Sequence, residues 1–135
     1  MNYLVDVNVL CEPTKPKPSA KVVDWLRIHE LDLVIDPIVL AEVRFGILVM
    51  SAGRRRRQLE RWFDEVAAAM ICVPWEAATG LRWAKLLADL RTAGDSMPIK
   101  DSMIAATALV HNLTLATRNE QDFKKAKVRV VNPFA

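Results

Sequence analysis

The sequence predicts an α/β domain built on a central parallel sheet, and three observations carry that prediction. Short runs of apolar, β-branched residues alternate with longer segments of helical period. The runs are apolar throughout, without polar alternation, as strands covered on both faces require. The 135 residues show no internal repeat and no linker long enough to divide them, so 1–135 reads as one domain.

The elements follow in order. "YLVDVNVL", residues 3–10, starts as a strand with Asp6 near its middle, and "EPTKPKPS", 12–19, carries three prolines that forbid regular structure. A helix runs over 20–30, where Val22, Val23, Leu26 and Ile28 give a partial apolar stripe. "LVI" at 33–35 is a second strand, closed by Asp36-Pro37. The next helix, 38–51, is apolar on nearly every side apart from Glu42 and Arg44. "GRRRRQLERWFDEV" starts a charged amphipathic helix at Gly53, and "MICVP", 70–74, is a third strand. Trp83, Leu86, Leu87 and Leu90 fall at helical spacing and predict a helix over 76–93 with one buried face. "DSMIAATALVHN", 101–112, is an alanine-rich helix able to pack closely on a sheet. "TLAT", 114–117, and "VRVV", 128–131, bring the sheet to about five strands.

Composition sets the outer limits. Hydrophobic residues make up 52% and charged residues 26%, ordinary for a globular chain. A net charge of +3 and a pI near 9.1 lean weakly toward a polyanionic partner. The longest apolar run, "VAAAMICV" at 66–73, is far too short to span a membrane, and no export signal is visible. A cytoplasmic protein without membrane contact is expected. Cys11 and Cys72 lie among apolar residues and read as free thiols in a reducing cytoplasm, with no zinc-type spacing.

Ligands of an open parallel sheet bind at the carboxyl ends of its strands, near the switch in strand order. Asp6 ends the first strand, Glu42 interrupts an apolar helix, Asp101 opens another, and "ATRNEQDF" presents Asn119, Glu120 and Asp122 after a strand. Taken singly, each has a local explanation: a turn at Asp6 and Asn8, a capping or dipole role for Asp101, an arginine partner for Glu42. Taken together they conflict. Carboxylates about 8 Å apart repel by roughly 2 kcal/mol per pair at an effective dielectric near 20, so three pairs approach the whole stability of a small domain. A cation or shared protons must offset that repulsion. Oxygen ligands without histidine or cysteine point to Mg²⁺ or Mn²⁺, which can activate a water beside a phosphodiester.

"LVDVNVL", "LAEVRFGI", "KDSMIAATA" and "LATRNEQDF", in this order and spacing, resemble the four signature segments of PIN-domain ribonucleases, and the similarity runs from Tyr3 to the closing "VVNPF". The nearest branch is the VapC toxins, with the FitB-like and plasmid-stability proteins. The resemblance implies a three-layer α/β/α fold and a Mg²⁺-dependent endoribonuclease, the toxin of a toxin–antitoxin pair. It implies a homodimer silenced by a small cognate antitoxin, with operator DNA bound only through that antitoxin. Carried over, Asp6 and Asp101 hold the metal, Glu42 holds its waters or helps activate the nucleophile, and Asn8 and Thr117 orient the carboxylates. Two positions depart from the pattern. Val7 stands where the family usually has threonine or serine, and Asn119 where many members have a fourth aspartate. Asp122, three residues on, compensates if the turn points it inward.

Other features carry less. Arg54 and Arg55 begin the densest positive cluster, Arg54 to Arg57, either a solvated helix start or an RNA or antitoxin contact; the helix dipole disfavours cations there. Arg44 and Arg118 flank the acidic segments and could meet RNA phosphate or pair with the carboxylates. His29 and His111 read as surface or helix-end residues, and the four tryptophans as core or dimer-interface residues. Two rivals stay open at this point. A haloacid-dehalogenase-type phosphohydrolase wants an aspartate where this chain has Asn8, and a non-catalytic PIN scaffold is hinted at by Val7 and Asn119.

Overall fold

The structure, a computed structural model, describes residues 2–135. Five parallel strands form the sheet: β1 (Tyr3–Val5), β2 (Leu33–Ile35), β3 (Ile71–Cys72), β4 (Thr114–Ala116) and β5 (Val130–Val131). Seven helices flank it, giving the expected α/β/α layering: α1 (Val7–Leu10), α2 (Ala20–Ile28), α3 (Pro37–Leu48), α4 (Arg54–Ala69), α5 (Ala77–Thr92), α6 (Ile99–Val110) and α7 (Glu120–Lys124). The core runs through the central strands, where Leu4, Val5, Val34, Ile35 and Leu115 are wholly buried against Val9, Val39 and Ile104 from the helices.

Strand order is β3-β2-β1-β4-β5. The chain lays β1, β2 and β3 outward in one direction, then returns to place β4 and β5 on the other side of β1. The switch point therefore falls between β1 and β4. Tyr3 pairs with Thr114 and Val5 with Ala116, so Asp6 and Thr117 leave the sheet side by side at its carboxyl end.

Several expectations need correction. "YLVDVNVL" is a strand only to Val5. The Asp6 carboxylate accepts the Val7 N–H at 2.8 Å and starts α1, overriding the β preference of Val7 and Val9. Within "EPTKPKPS" a 3₁₀ turn forms at Glu12–Thr14, because a proline at the first turn loses no helical hydrogen bond. The helix expected over 101–112 begins two residues earlier, at Ile99, and places Asp101 in its first turn. Cys72, set among apolar residues in the sequence, is exposed, because β3 is the sheet's edge strand. No helix among the described residues is long and apolar enough to cross a membrane.

Candidate active site

The site is built outward from Asp6. Its Oδ1 takes the Val7 N–H, and its Oδ2 takes the Thr117 hydroxyl at 2.7 Å and the Asn8 side-chain amide at 3.2 Å. Asn8 also donates to Thr117 Oγ1 at 3.3 Å, and its own carbonyl oxygen accepts the Arg118 N–H at 3.0 Å. Thr117 Oγ1 accepts the Asn119 N–H at 3.0 Å. The loops after β1 and β4 are thus stitched together around one carboxylate. Burial pushes the Asp6 carboxyl up, while the bonds from Thr117, Val7 and Asn8 hold it down.

Glu42 and Asp101 reach the same end of the sheet from α3 and α6. Burial raises the Glu42 carboxyl; Lys100, with Nζ 3.9 Å from Oε1, opposes the rise, and Asp6 and Asp36 add to it. Asp101 is pushed up to about 6, first by burial and then by the charges of Asp6, Asp122 and Glu42. A first-turn carboxylate ordinarily gains from the helix dipole. Here desolvation and neighbouring acids outweigh that gain. No hydrogen bond fixes the Asp101 carboxylate among the described residues. Its helix is clamped beside it instead: the Trp83 indole donates to Ser102 Oγ at 2.9 Å, and Ser102 donates to the Ile99 carbonyl at 2.6 Å.

The acids interact through their fields. Among the described residues, no three histidine, cysteine, aspartate or glutamate side chains form a ready-made metal cage. The donor chemistry nevertheless suits a hard cation. Asp6, Glu42, Asp101 and Asp122 offer only oxygen, and the first three are each raised partly by desolvated or like-charged surroundings that a divalent ion would relieve.

The remaining candidates fall outside this core. Asn119 is exposed and precedes α7, and Asp122 is half-buried within the field of Asp101. Arg118 stacks on Phe134 with 3.9 Å from guanidinium to ring centre, and Arg44 lies 5.6 Å from the Phe63 ring. Neither pairs with a site acid; Lys100, which sequence reasoning passed over, is the cation beside Glu42. Arg55 bonds the Thr14 carbonyl, joining the start of α4 to the proline-rich loop, while Arg54 stays exposed.

Two buried acids were also missed. Glu12, 5% exposed, accepts the Ser19 N–H and pairs with Lys15 at 2.9 Å; those contacts hold its carboxyl below the usual range. Asp36, with no exposure at all, caps α3 and takes the Thr107 hydroxyl at 2.7 Å. An aspartate directly after a strand was the available signal, and it matches Asp6.

Residues 3–128 match the sequence model of the PIN domain. The plasmid stability protein StbB of Pseudomonas syringae pv. tomato is 34% identical over 135 residues, covering 97% of each chain. A VapC ribonuclease of Sinorhizobium fredii, Y4jK, is 32% identical, covering 97% of this chain and 96% of the other. The toxin FitB of Neisseria gonorrhoeae is likewise 32% identical over 97% of each chain. The structure of FitAB bound to an IR36 DNA fragment superimposes with a TM-score of 0.89 at 30% identity, covering 98% of this chain and 96% of that one.

Proposed function

This chain belongs to the PIN-domain family, and from that premise we propose that it is a Mg²⁺-dependent endoribonuclease, the toxin of a toxin–antitoxin pair. The observation that carries the proposal is the mutual electrostatic coupling of Asp6, Glu42 and Asp101, with Asp6 at the switch point and Asp101 raised to about 6 by burial and by its acidic neighbours. Similarity to a VapC ribonuclease and to the FitB toxin supports RNA as substrate and the role of a toxin.

Asp6 and Asp101 are the proposed direct ligands of Mg²⁺ or Mn²⁺, with Glu42 alongside. The ion would offset charge developing on a phosphodiester and make a bound water more acidic. The protein's share is orientation. Thr117 and Asn8 fix the Asp6 carboxylate, the Trp83–Ser102 clamp fixes the turn bearing Asp101, and Lys100 holds Glu42. Val7 offers no hydroxyl at this position and contributes only its backbone N–H to the network. Glu42, raised but only half-buried, is suited to accept a proton from water.

The proposed partners follow from the surface. Phe45, Leu48 and Val49, 63%, 50% and 66% exposed, form an apolar patch on and just after α3 that a second copy of the chain would cover. An open groove of about 710 Å³ lined by Leu10, Leu26, Leu31, Trp62, Val66 and Ile71 suits an apolar segment of a cognate antitoxin. Operator DNA would be met through that partner, as the DNA-bound FitAB structure suggests.

The test is cleavage of total cellular RNA by the purified chain, freed of any partner, with Mg²⁺, Mn²⁺ or EDTA. Discrete fragments that need metal, Asp6 and Asp101 are expected. Absence of metal-dependent cleavage from the wild type would replace the enzyme with a PIN-fold scaffold.

A further inference from the structure

A serine or threonine caps a helix as well as an aspartate does, without burying a charge. Asp36 is an aspartate with no solvent exposure, and its geometry gives a reason. Its two oxygens serve two helices. Oδ1 accepts the Val39 N–H of α3 at 2.8 Å, and Oδ2 accepts the Thr107 hydroxyl of α6 at 2.7 Å. A serine or threonine would have to hold both contacts on one oxygen, whereas the carboxylate gives each helix an oxygen of its own.

Thr107 is also wholly buried, and its oxygen accepts the Trp75 indole N–H at 2.9 Å. Its proton has one alternative, the Met103 carbonyl at 3.3 Å, and the shorter contact to Asp36 is the charge-assisted one. The outcome is a directed chain from indole N–H to hydroxyl to carboxylate, joining the segment after β3 to α6 and α3. Glu42 lies six residues beyond Asp36, and Asp101 six residues before Thr107. At 1.5 Å per residue, the bridge stands about 9 Å along each helix from the acid that helix carries. Asp6 is fixed by its own hydrogen bonds, whereas Glu42 and Asp101 depend on where their helices lie.

We propose that Asp36 and Thr107 are positioning residues that hold α3 against α6, set the separation of Glu42 and Asp101, and so set the site's affinity for a divalent cation. This rests on reading the acidic pocket as a metal site. The bridge is neutral at Thr107, which makes that position the better probe. Removing the Asp36 charge would alter cation binding through its field alone.

The experiment compares wild type, Thr107→Val and Thr107→Ser as full chains, measuring Mn²⁺ binding by calorimetry well below each unfolding transition. The valine variant should bind Mn²⁺ about tenfold more weakly, while serine, which keeps the hydroxyl, stays within about twofold of wild type. Trp75→Phe removes the indole donor and serves if the valine variant does not fold; about threefold weaker binding is expected. Equal Mn²⁺ affinity in folded wild type, valine and serine chains would overturn the positioning role, even if their melting temperatures differ. A wild type that binds no Mn²⁺ would sink the metal-site reading itself, and the role proposed for the bridge with it.

Discussion

Asp6 and Asp36 invite direct comparison. Each follows a central strand, and each caps the next helix through Oδ1, taking a backbone N–H at 2.8 Å. Each takes a threonine hydroxyl on Oδ2 at 2.7 Å, from Thr117 and Thr107. Both are raised by burial. They differ in what lies beyond. Asp6 keeps 4% of its surface and is coupled to both Glu42 and Asp101, whereas Asp36, coupled to Glu42 as well, is closed off by protein on every side. One local device thus yields a candidate ligand at the switch point and a helix tether one strand away. Topology, more than the residue's own bonding, separates the roles.

The largest expected effect breaks the pair apart. Asp6→Ala should lower RNA cleavage about 10³-fold, since a lost metal ligand removes several kcal/mol of charge stabilisation. Asp36→Asn, whose amide oxygen can still cap α3, should lower it only about tenfold. Steady-state cleavage of one defined RNA measures both, and equal losses would erase the distinction between ligand and tether.

Thr117→Val sharpens the comparison at the Asp6 end. It removes a hydrogen bond to a carboxylate facing the site, so Mn²⁺ should bind about tenfold more weakly by calorimetry, and Thr117→Ser should restore most of the loss. Unchanged affinity in the valine variant would mean that Asn8 and the Val7 N–H suffice to orient Asp6.

Asp101 has the opposite character, half-buried and without a hydrogen bond to hold it among the described residues. Its carboxyl is raised from 3.8 to about 6 in the folded chain, so the folded state keeps a proton that the unfolded state has lost. Stability from this group is full below about pH 4 and disappears as pH rises through about 6. The metal-free chain, in EDTA, should therefore lose stability from pH 4 to 7. Asp101→Asn should reduce that slope and raise the pH 7 melting temperature by roughly 4 °C, about 1 kcal/mol after allowance for solvent screening. Added Mn²⁺ should stabilise wild type more at pH 7 than at pH 5, because protons compete for the same oxygens. Scanning calorimetry reads all three effects, and a wild type that gains stability from pH 4 to 7 would remove Asp101 from the acidic cluster.

How far the sequence disclosed this arrangement differs from residue to residue. The five strands were visible because apolar, β-branched runs report burial on both faces. Asp6 and Glu42 stood out as charges among apolar neighbours, and Asp101 as an acid opening a helix. Asp36 was equally visible as a residue but read only as a strand stop, since its partner Thr107 is 71 positions away. Glu12 lay hidden in a proline-rich stretch that reads as irregular, although its 3₁₀ turn and its bonds to Lys15 and Ser19 are local. The exposure of Cys72 depends on β3 being the edge strand, which strand order decides and local pattern does not. The pairing of Lys100 with Glu42 likewise depends on α6 beginning at Ile99.

The smallest expected effect concerns the missing fourth acid. Asn119 is exposed, and its N–H bonds the same Thr117 oxygen that donates to Asp6. Asn119→Asp adds one negative charge at the rim of the pocket without disturbing that network. At a water-like dielectric and a separation of about 8 Å, the gain with a divalent ion is roughly 1 kcal/mol, or about sixfold tighter Mn²⁺ binding. The same charge should slightly lower the melting temperature of the metal-free chain, because it joins the repulsion already felt at Asp101. Opposite signs in the two measurements are the signature of an acid acting through its field. A tightening of about a thousandfold would require an effective dielectric near 20, and would place residue 119 inside the pocket with Asp6 rather than at its rim.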